Sequence, residues 1–163
     1  MEKLLYPLWK ADAMDADSFR DALLGSLCVS LQDAPEVRGL RLAVADSAVA
    51  AASGRRMQTR APLPDALLSL WVDFAAAAAP LELLIDEHAE RRGCYLVCEA
   101  EPLSTQQSHP CAPGERVHGM CQVVFMTPPE GLGREDWLSL WKDSHTGVAI
   151  DTQSTFGYRQ NLV

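Results

Sequence analysis

The chain has 163 residues, enough for one ordinary domain or for a domain with part of another. Hydrophobic residues make up 48% and charged residues 22%, which excludes a disordered chain and leaves material for a core of useful size. The formal net charge of −8 argues against nucleic acid as a partner, because Lys and Arg would have to neutralise phosphates, and Arg55, Arg56 and Arg60 are too few to form a stripe.

The first residues, Met1 to Tyr6, lack the basic region, long apolar core and small-residue cleavage site of a signal peptide. Lys3 to Lys10 is a short apolar run with aromatic punctuation, expected as a first strand. Asp15, Asp17 and Ser18 then form a cap signal ahead of Phe19, Leu23, Leu27 and Leu31. That spacing predicts an amphipathic helix ending before Pro35. Leu40, Leu42 and Val44 alternate with Gly39, Arg41 and Ala43, predicting a second strand within Val37 to Val49. The mixture of Ala, Ser, Gly, Arg and Pro from Asp46 to Pro64 reads as a long connection with a helical turn near Ala48 to Ser53.

Ala66 to Phe74 is expected as a buried third strand, although its leucines leave a helix open. The most apolar stretch, Leu67 to Ile85, is too interrupted by Asp73, Pro80 and Glu82 to cross a bilayer, so no membrane partner is expected. Ala75 to Arg92 carries Glu82, Asp86, Glu87 and Glu90 on a wet face and predicts a second helix closed by Gly93. Cys94 to Glu101 alternates again and predicts a fourth strand. Cys94 and Cys98 would share a face of it, and without further ligands nearby they read as buried thiols rather than a metal site. Five cysteines without an export signal point to a reducing, cytoplasmic setting.

Residues 1–101 therefore spell β-α-β-β-α-β, the ferredoxin-like order within the α+β class. Residues 102–116, rich in Ser, Gln, Pro and Gly, read as an exposed linker. Over 117–163 the pattern restarts: a strand at Val117 to Thr127, a turn at Pro128 to Gly133, a helix from Arg134 to about Gln153, and a strand at Phe156 to Val163. A ferredoxin-like unit left as β-α-β has unpaired edges. It is expected to complete its sheet against the first domain or a second subunit, unless the chain is shorter than its relatives.

The stretch Met126 to Val163 contains Trp137, Trp141, His145, Gly157, Tyr158, Gln160 and Asn161 in a W-x-x-x-H helix followed by a G-Y-R-Q-N strand. In this pattern it resembles the EthD family of the dimeric α/β-barrel proteins. The detailed likeness covers the last quarter of the chain; the first domain agrees in element order. The resemblance implies paired ferredoxin-like sheets enclosing a cavity, and hence a homodimer. It also implies a small apolar ligand, aromatic or polyketide-like, since related barrels include monooxygenases, isomerases, decarboxylases and dehydratases. Haem handling is known among distant barrel relatives and would need His145 beside an open slot.

On a regular helix Trp137, Trp141 and His145 share one face at i, i+4 and i+8. An imidazole titrates near neutrality, so His145 in a closed cavity would serve as a general acid/base. It equally suits a histidine that bonds backbone at the helix end. Tyr158 would support it with a phenol or pack with its hydroxyl at the rim, and Trp137, Trp141 and Gln160 would line the substrate site. Asp143 and Asp151 flank His145 but sit poorly to orient it. His88 and His118 read as exposed or marginal, and His109 lies in the linker. No phosphate loop, H-E-x-x-H or G-x-S-x-G pattern is present, so the expected chemistry is cofactor-independent and uses no metal. The rival expectation is a non-catalytic ligand-binding or assembly protein of the same fold.

Overall fold

A computed structural model describes residues 1–59 and 61–163; Arg60, among the arginines named above, lies outside the described residues. The chain divides into two compact units, one of Met1–Cys98 with Leu162–Val163 and one of Glu99–Asn161.

In the first unit β1 (Glu2–Trp9) is followed by a helix α1 over residues 16–33, then β2 (Val37–Val44), β3 (Ala66–Val72), a helix α2 (Ala79–Asp86), the short β4 (Arg91–Arg92) and β5 (Tyr95–Leu103). β1 runs antiparallel to β3 on one side and to β4 and β5 on the other, and β2 is antiparallel to β3. The order β2-β3-β1-β5 is the ferredoxin-like arrangement expected from the succession of elements, and the α+β class is borne out.

α1 is capped by Asp15, the first residue of the expected cap signal. The Asp15 carboxylate accepts the backbone N–H groups of Asp17 and Ser18 at 3.0 and 2.9 Å, and the Ser18 hydroxyl donates to its other oxygen at 2.6 Å. These bonds satisfy donors that a helix start otherwise leaves open. Leu23–Leu27 is a π-turn inside the helix, yet Phe19, Leu23, Leu27 and Leu31 all stay fully buried. They pack on Leu4, Tyr6 and Leu8 of β1 and on Leu68, Leu70 and Val72 of β3. Arg20 ties the helix start to the following connection: it pairs with Asp17, Asp21 and the buried Asp46, and Asp17 also accepts the Ser47 N–H at 3.0 Å. The connection holds a 3₁₀ segment, Ser47–Arg55, where a helical turn was expected.

Two expectations for this unit need correction. The second helix does not span Ala75 to Arg92; it is a 3₁₀ turn at Ala75–Ala77, an eight-residue α2, then a turn and β4. Second, Cys94 and Cys98 are exposed, and Cys28 is the buried thiol among the five. The two corrections have one cause. With so short a helix the helix-side face of β5 stays bare: Leu96, directly opposite the buried Leu4, is 53% exposed. His88 is marginal, as expected, being half-buried with ring nitrogens 2.9 Å from the Leu84 carbonyl and 2.9 Å from the Ser26 hydroxyl, so it joins the two helices.

In the second unit β5 runs on to Leu103, where a linker was expected from Pro102 onward. A single helical turn α3 (Thr105–Ser108) follows, and after a long irregular stretch come a helix α4 over residues 134–152 and β6 (Tyr158–Leu162), a neighbour of β5. Val117 to Thr127 forms no strand. Its composition suits one, but a strand exists only where its main chain finds partners, and none is found among the described residues. The stretch before it is anchored by a ring cluster: His109 stacks on His118 at 4.1 Å and Phe156 tilts against both. Gly119 lies so close beneath Phe156 that a Cβ would come within 2.3 Å of the ring, and its φ of +81° also favours glycine.

Among the described residues no helix is long and apolar enough to cross a membrane.

Two outcomes follow for stability. Leu27→Ala is expected to cost about 2–5 kcal/mol in urea unfolding, whereas Leu24→Ala, at a position 51% exposed, is expected to be nearly neutral. The second concerns acid. Hydrogen bonds from Ser18 hold the Asp15 carboxyl below the usual carboxylate range, and the Ser47 backbone N–H does the same for Asp17. Groups with a depressed folded pKa contribute fully above their unfolded value, about 3.9, and lose that contribution as pH falls through the folded value. Asp15→Asn keeps a capping oxygen without the charge, so its unfolding midpoint should match the parent near neutrality and fall less steeply below about pH 4.

Candidate functional site

The W-x-x-x-H segment lies on α4, whose parts are Arg134–Ser139, a π-turn at Leu140–His145 and Thr146–Thr152. Glu135 and Asp136 fall in the first turn, where the helix dipole favours negative charge. Trp137 and Trp141 are each half-buried and stack with ring centroids 5.4 Å apart and 27° between planes, so this part of the expected face is formed. The Trp141 Nε1–H is shut off from water and has no hydrogen-bond acceptor among the described residues.

His145 is not on that face. It is exposed, and no hydrogen bond to its ring is formed among the described residues. The π-turn is the reason. Each residue advances an α-helix by about 100°, so a wider i→i+5 turn shifts everything after it by roughly one position. The inward places after Trp141 are accordingly taken by Thr146 and Ala149, both buried, instead of His145. The backbone N–H of Thr146 bonds the Trp141 carbonyl five residues back, and its hydroxyl donates to the same oxygen at 2.8 Å.

The other expected residues divide between two roles. Gln160, 5% exposed on β6, donates from Nε2 to the Thr146 hydroxyl oxygen at 2.6 Å, so it braces the π-turn. The residue expected to contact substrate thus has its amide donor engaged with Thr146. Tyr158 is half-buried on the same strand. Neighbouring Arg159 pairs with Glu99 and Glu101 of β5, which fixes the two strands in register. Gly157 is required at the start of β6, because a Cβ there would come within 1.9 Å of the Thr105 hydroxyl. The Asp143 carboxylate accepts from the Ser139 hydroxyl at 2.8 Å, and Asp151 is exposed; neither orients His145.

Two surface clefts lie in the first unit. One, of about 310 Å³, lies at the end of β1 between Trp9, Lys10, Leu63, Asp65 and Arg91, with the Arg91 guanidinium 3.9 Å above the Trp9 ring. The other adjoins the Arg20 ion-pair network at Asp15, Asp17 and Asp46. Tyr6, Glu82, Arg92 and Cys94 form a further polar cluster. The Tyr6 hydroxyl donates to Glu82 at 3.4 Å, Arg92 pairs with Glu82 at 3.0 Å, and burial pushes both the phenol and the Cys94 thiol upward. A thiol raised in this way is a poor nucleophile at neutral pH. Among the described residues no group of three or more His, Cys, Asp or Glu side chains is arranged to hold a metal ion.

Sequence reasoning passed over Thr146 and the stacked His109 and His118. The signal for Thr146 was present as a hydroxyl five residues after Trp141, but it becomes meaningful only once the helix is known to widen there.

Removing the two ends of the Gln160–Thr146 bond should have unequal effects. Thr146→Val strands a buried amide donor and is expected to cost about 1–3 kcal/mol in urea unfolding. Gln160→Met leaves the hydroxyl bonded to the Trp141 carbonyl and is expected to cost less. Equal or inverted losses would show that the bond does not brace the turn.

No protein-family model matches the chain, and no curated protein matches it.

Proposed function

We propose that this is a small-ligand-binding protein of EthD-like type that takes an oxygenated apolar compound, aromatic or polyketide-like, against Trp137 and Trp141. The observation that carries the reading is the dry, unpartnered N–H of Trp141. Buried indole donors ordinarily have an acceptor, and one left without it costs about 1–3 kcal/mol. A carbonyl, phenol or ether oxygen on a ligand supplies that acceptor, while the stacked indoles supply flat apolar surface for the rest of the molecule. Binding is favoured over catalysis because His145 stands in solvent without a carboxylate to orient it. An imidazole so placed is not oriented toward any partner in this structure.

Cofactor-independent proton transfer, with His145 as acid/base and Tyr158 as supporting donor, is the second reading. Its support is proximity: His145 closes the same π-turn that contains Trp141. In both readings the protein is cytoplasmic, where its five thiols stay reduced, and it works as the homodimer implied by the family resemblance.

Naphthalene and 1-naphthol are a matched pair of probes that differ by one hydroxyl. In titrations followed by tryptophan fluorescence, 1-naphthol is expected to bind about fivefold more tightly, the equivalent of one net hydrogen bond. Trp141→Phe should remove that preference and keep the affinity for naphthalene. Equal binding of the two probes by the parent protein would overturn the reading. His145→Ala is expected to leave both affinities unchanged; turnover of a compound that stops in this variant would establish the second reading instead.

A further inference from the structure

We propose that Ser26 and His88 form a nucleophile–base pair, and that Ser26 takes the acyl group of activated carboxylic esters. Both residues belong to the first unit, whereas Trp137 and Trp141 belong to the second, so the site does not depend on the ligand proposed there. The Ser26 hydroxyl oxygen lies 2.9 Å from His88 Nε2, and the other ring nitrogen, Nδ1, lies 2.9 Å from the Leu84 carbonyl oxygen. A carbonyl only accepts, so Nδ1 of the neutral ring carries the hydrogen and Nε2 presents a lone pair. Ser26 is therefore the donor, with its proton directed at a base that a third group holds in place. Nucleophile, base and orienting group at these distances are the arrangement by which a serine is activated. The Leu84 carbonyl fixes the tautomer and direction of the ring, as the carboxylate of a triad does, though without its charge.

Two features of α1 converge on the same residue. Ser26 is exposed and sits in the π-turn at Leu23–Leu27, a kind of turn that recurs at functional sites. Gly25, just before it, weakens a helix interior relative to alanine, yet a Cβ there would meet no packed neighbour within 4 Å. Packing therefore does not require the glycine; what it supplies is an open approach beside the Ser26 hydroxyl. The step balances within the pair. Ser26 Oγ bonds to the carbonyl carbon of an ester as its proton passes to His88 Nε2. The bond to the leaving oxygen then breaks, and that oxygen takes the proton from Nε2. The products are an ester on Ser26 and a free alcohol or phenol; water attacking by the same route frees the acid and restores the serine. Ser26 lies within a helix whose main-chain N–H groups are turned to the helix's own carbonyls, so the substrate's carbonyl oxygen is left to solvent. A good leaving group compensates, which points to aryl esters and similarly activated acyl donors rather than to amides.

The probe is p-nitrophenyl acetate, used with the full chain near neutral pH. Release of p-nitrophenolate gives the rate, and peptide mass spectrometry locates the acetyl group. In the parent, Ser26 is expected to acetylate at least about tenfold faster than Ser53, an exposed serine of the same unit, since a positioned base contributes about that much or more. Ser26→Ala, at an exposed position, should remove the matching phase of p-nitrophenolate release. His88→Asn keeps an amide that can donate to the Leu84 carbonyl but has no base at Nε2, and should slow acetylation of Ser26 at least about tenfold. Circular dichroism confirms that each variant keeps the parent's secondary structure. Acetyl groups found only on cysteines or lysines, or acetylation of Ser26 at the parent's rate in folded His88→Asn, would overturn the pair and leave His88 as a link between the helices. The comparison of Ser26 with Ser53 is read in the parent itself, so it decides the matter even where His88→Asn fails to fold: equal acetylation of the two serines overturns the proposal.

Discussion

In the first unit the arrangement of every strand depends on β1, which is buried at six successive residues from Lys3 to Leu8. Leu4, Tyr6 and Leu8 face the helices, while Lys3, Leu5 and Pro7 face the opposite side, where the Lys3 ammonium lies 4.8 Å from the centre of the Trp71 ring. Pro7 is the constraint within that strand, because it has no N–H to give a neighbour and proline is otherwise confined to strand edges. The sheet meets it with a gap. β5 pairs with Lys3 to Leu5, β4 pairs with Leu8 and Trp9, and Pro7 falls between the two ladders. Its carbonyl still accepts the Gly93 N–H at 3.0 Å, at a position where an added Cβ would come within 3.2 Å of the proline ring. The short α2, the turn after it and the two-residue β4 can be understood as the chain's route around a proline in a central strand.

A second local constraint governs the candidate site. The helix that carries Trp137 and Trp141 widens by one residue, and Thr146 holds that widening by bonding the Trp141 carbonyl twice while accepting from Gln160. The bracing side chain comes from another element, so the orientation of residues along α4 depends on where β6 lies. π-turns recur at functional sites because they re-aim a side chain without ending the helix. Here the turn keeps both indoles together and sends the imidazole outward. The outcome is a desolvated indole donor beside a stacked ring and an exposed imidazole one turn on.

The second unit also has polar groups that are not satisfied within it. The Trp141 N–H and the main chain of 122–128 both lack partners among the described residues, although the same unit secures β6 with Arg159 and closes a tight His109, His118 and Phe156 cluster. The two openings differ in kind. One is a single indole donor, the other a strand's length of main chain beside apolar side chains.

Much of the first unit was legible because its elements are specified by local rules. Alternation marked β2, the i+4 spacing of Phe19, Leu23, Leu27 and Leu31 marked α1, and turn chemistry separated them. The residue types and spacing of Trp137 and Trp141 likewise determined by themselves that an aromatic pair would form on one helix. Three things were decided only by tertiary structure. α2 stops at Asp86 and the chain turns into β4 opposite Leu8 and Trp9, which no local pattern in Ala75 to Arg92 records. The direction of His145 followed from a π-turn held by Gln160, fourteen residues beyond Thr146. The fate of Val117 to Thr127 followed from the absence of a partner within the described chain. Periodicity reports which side chains a segment can bury, but a helix's register and a strand's existence depend on groups from elsewhere that bond to it.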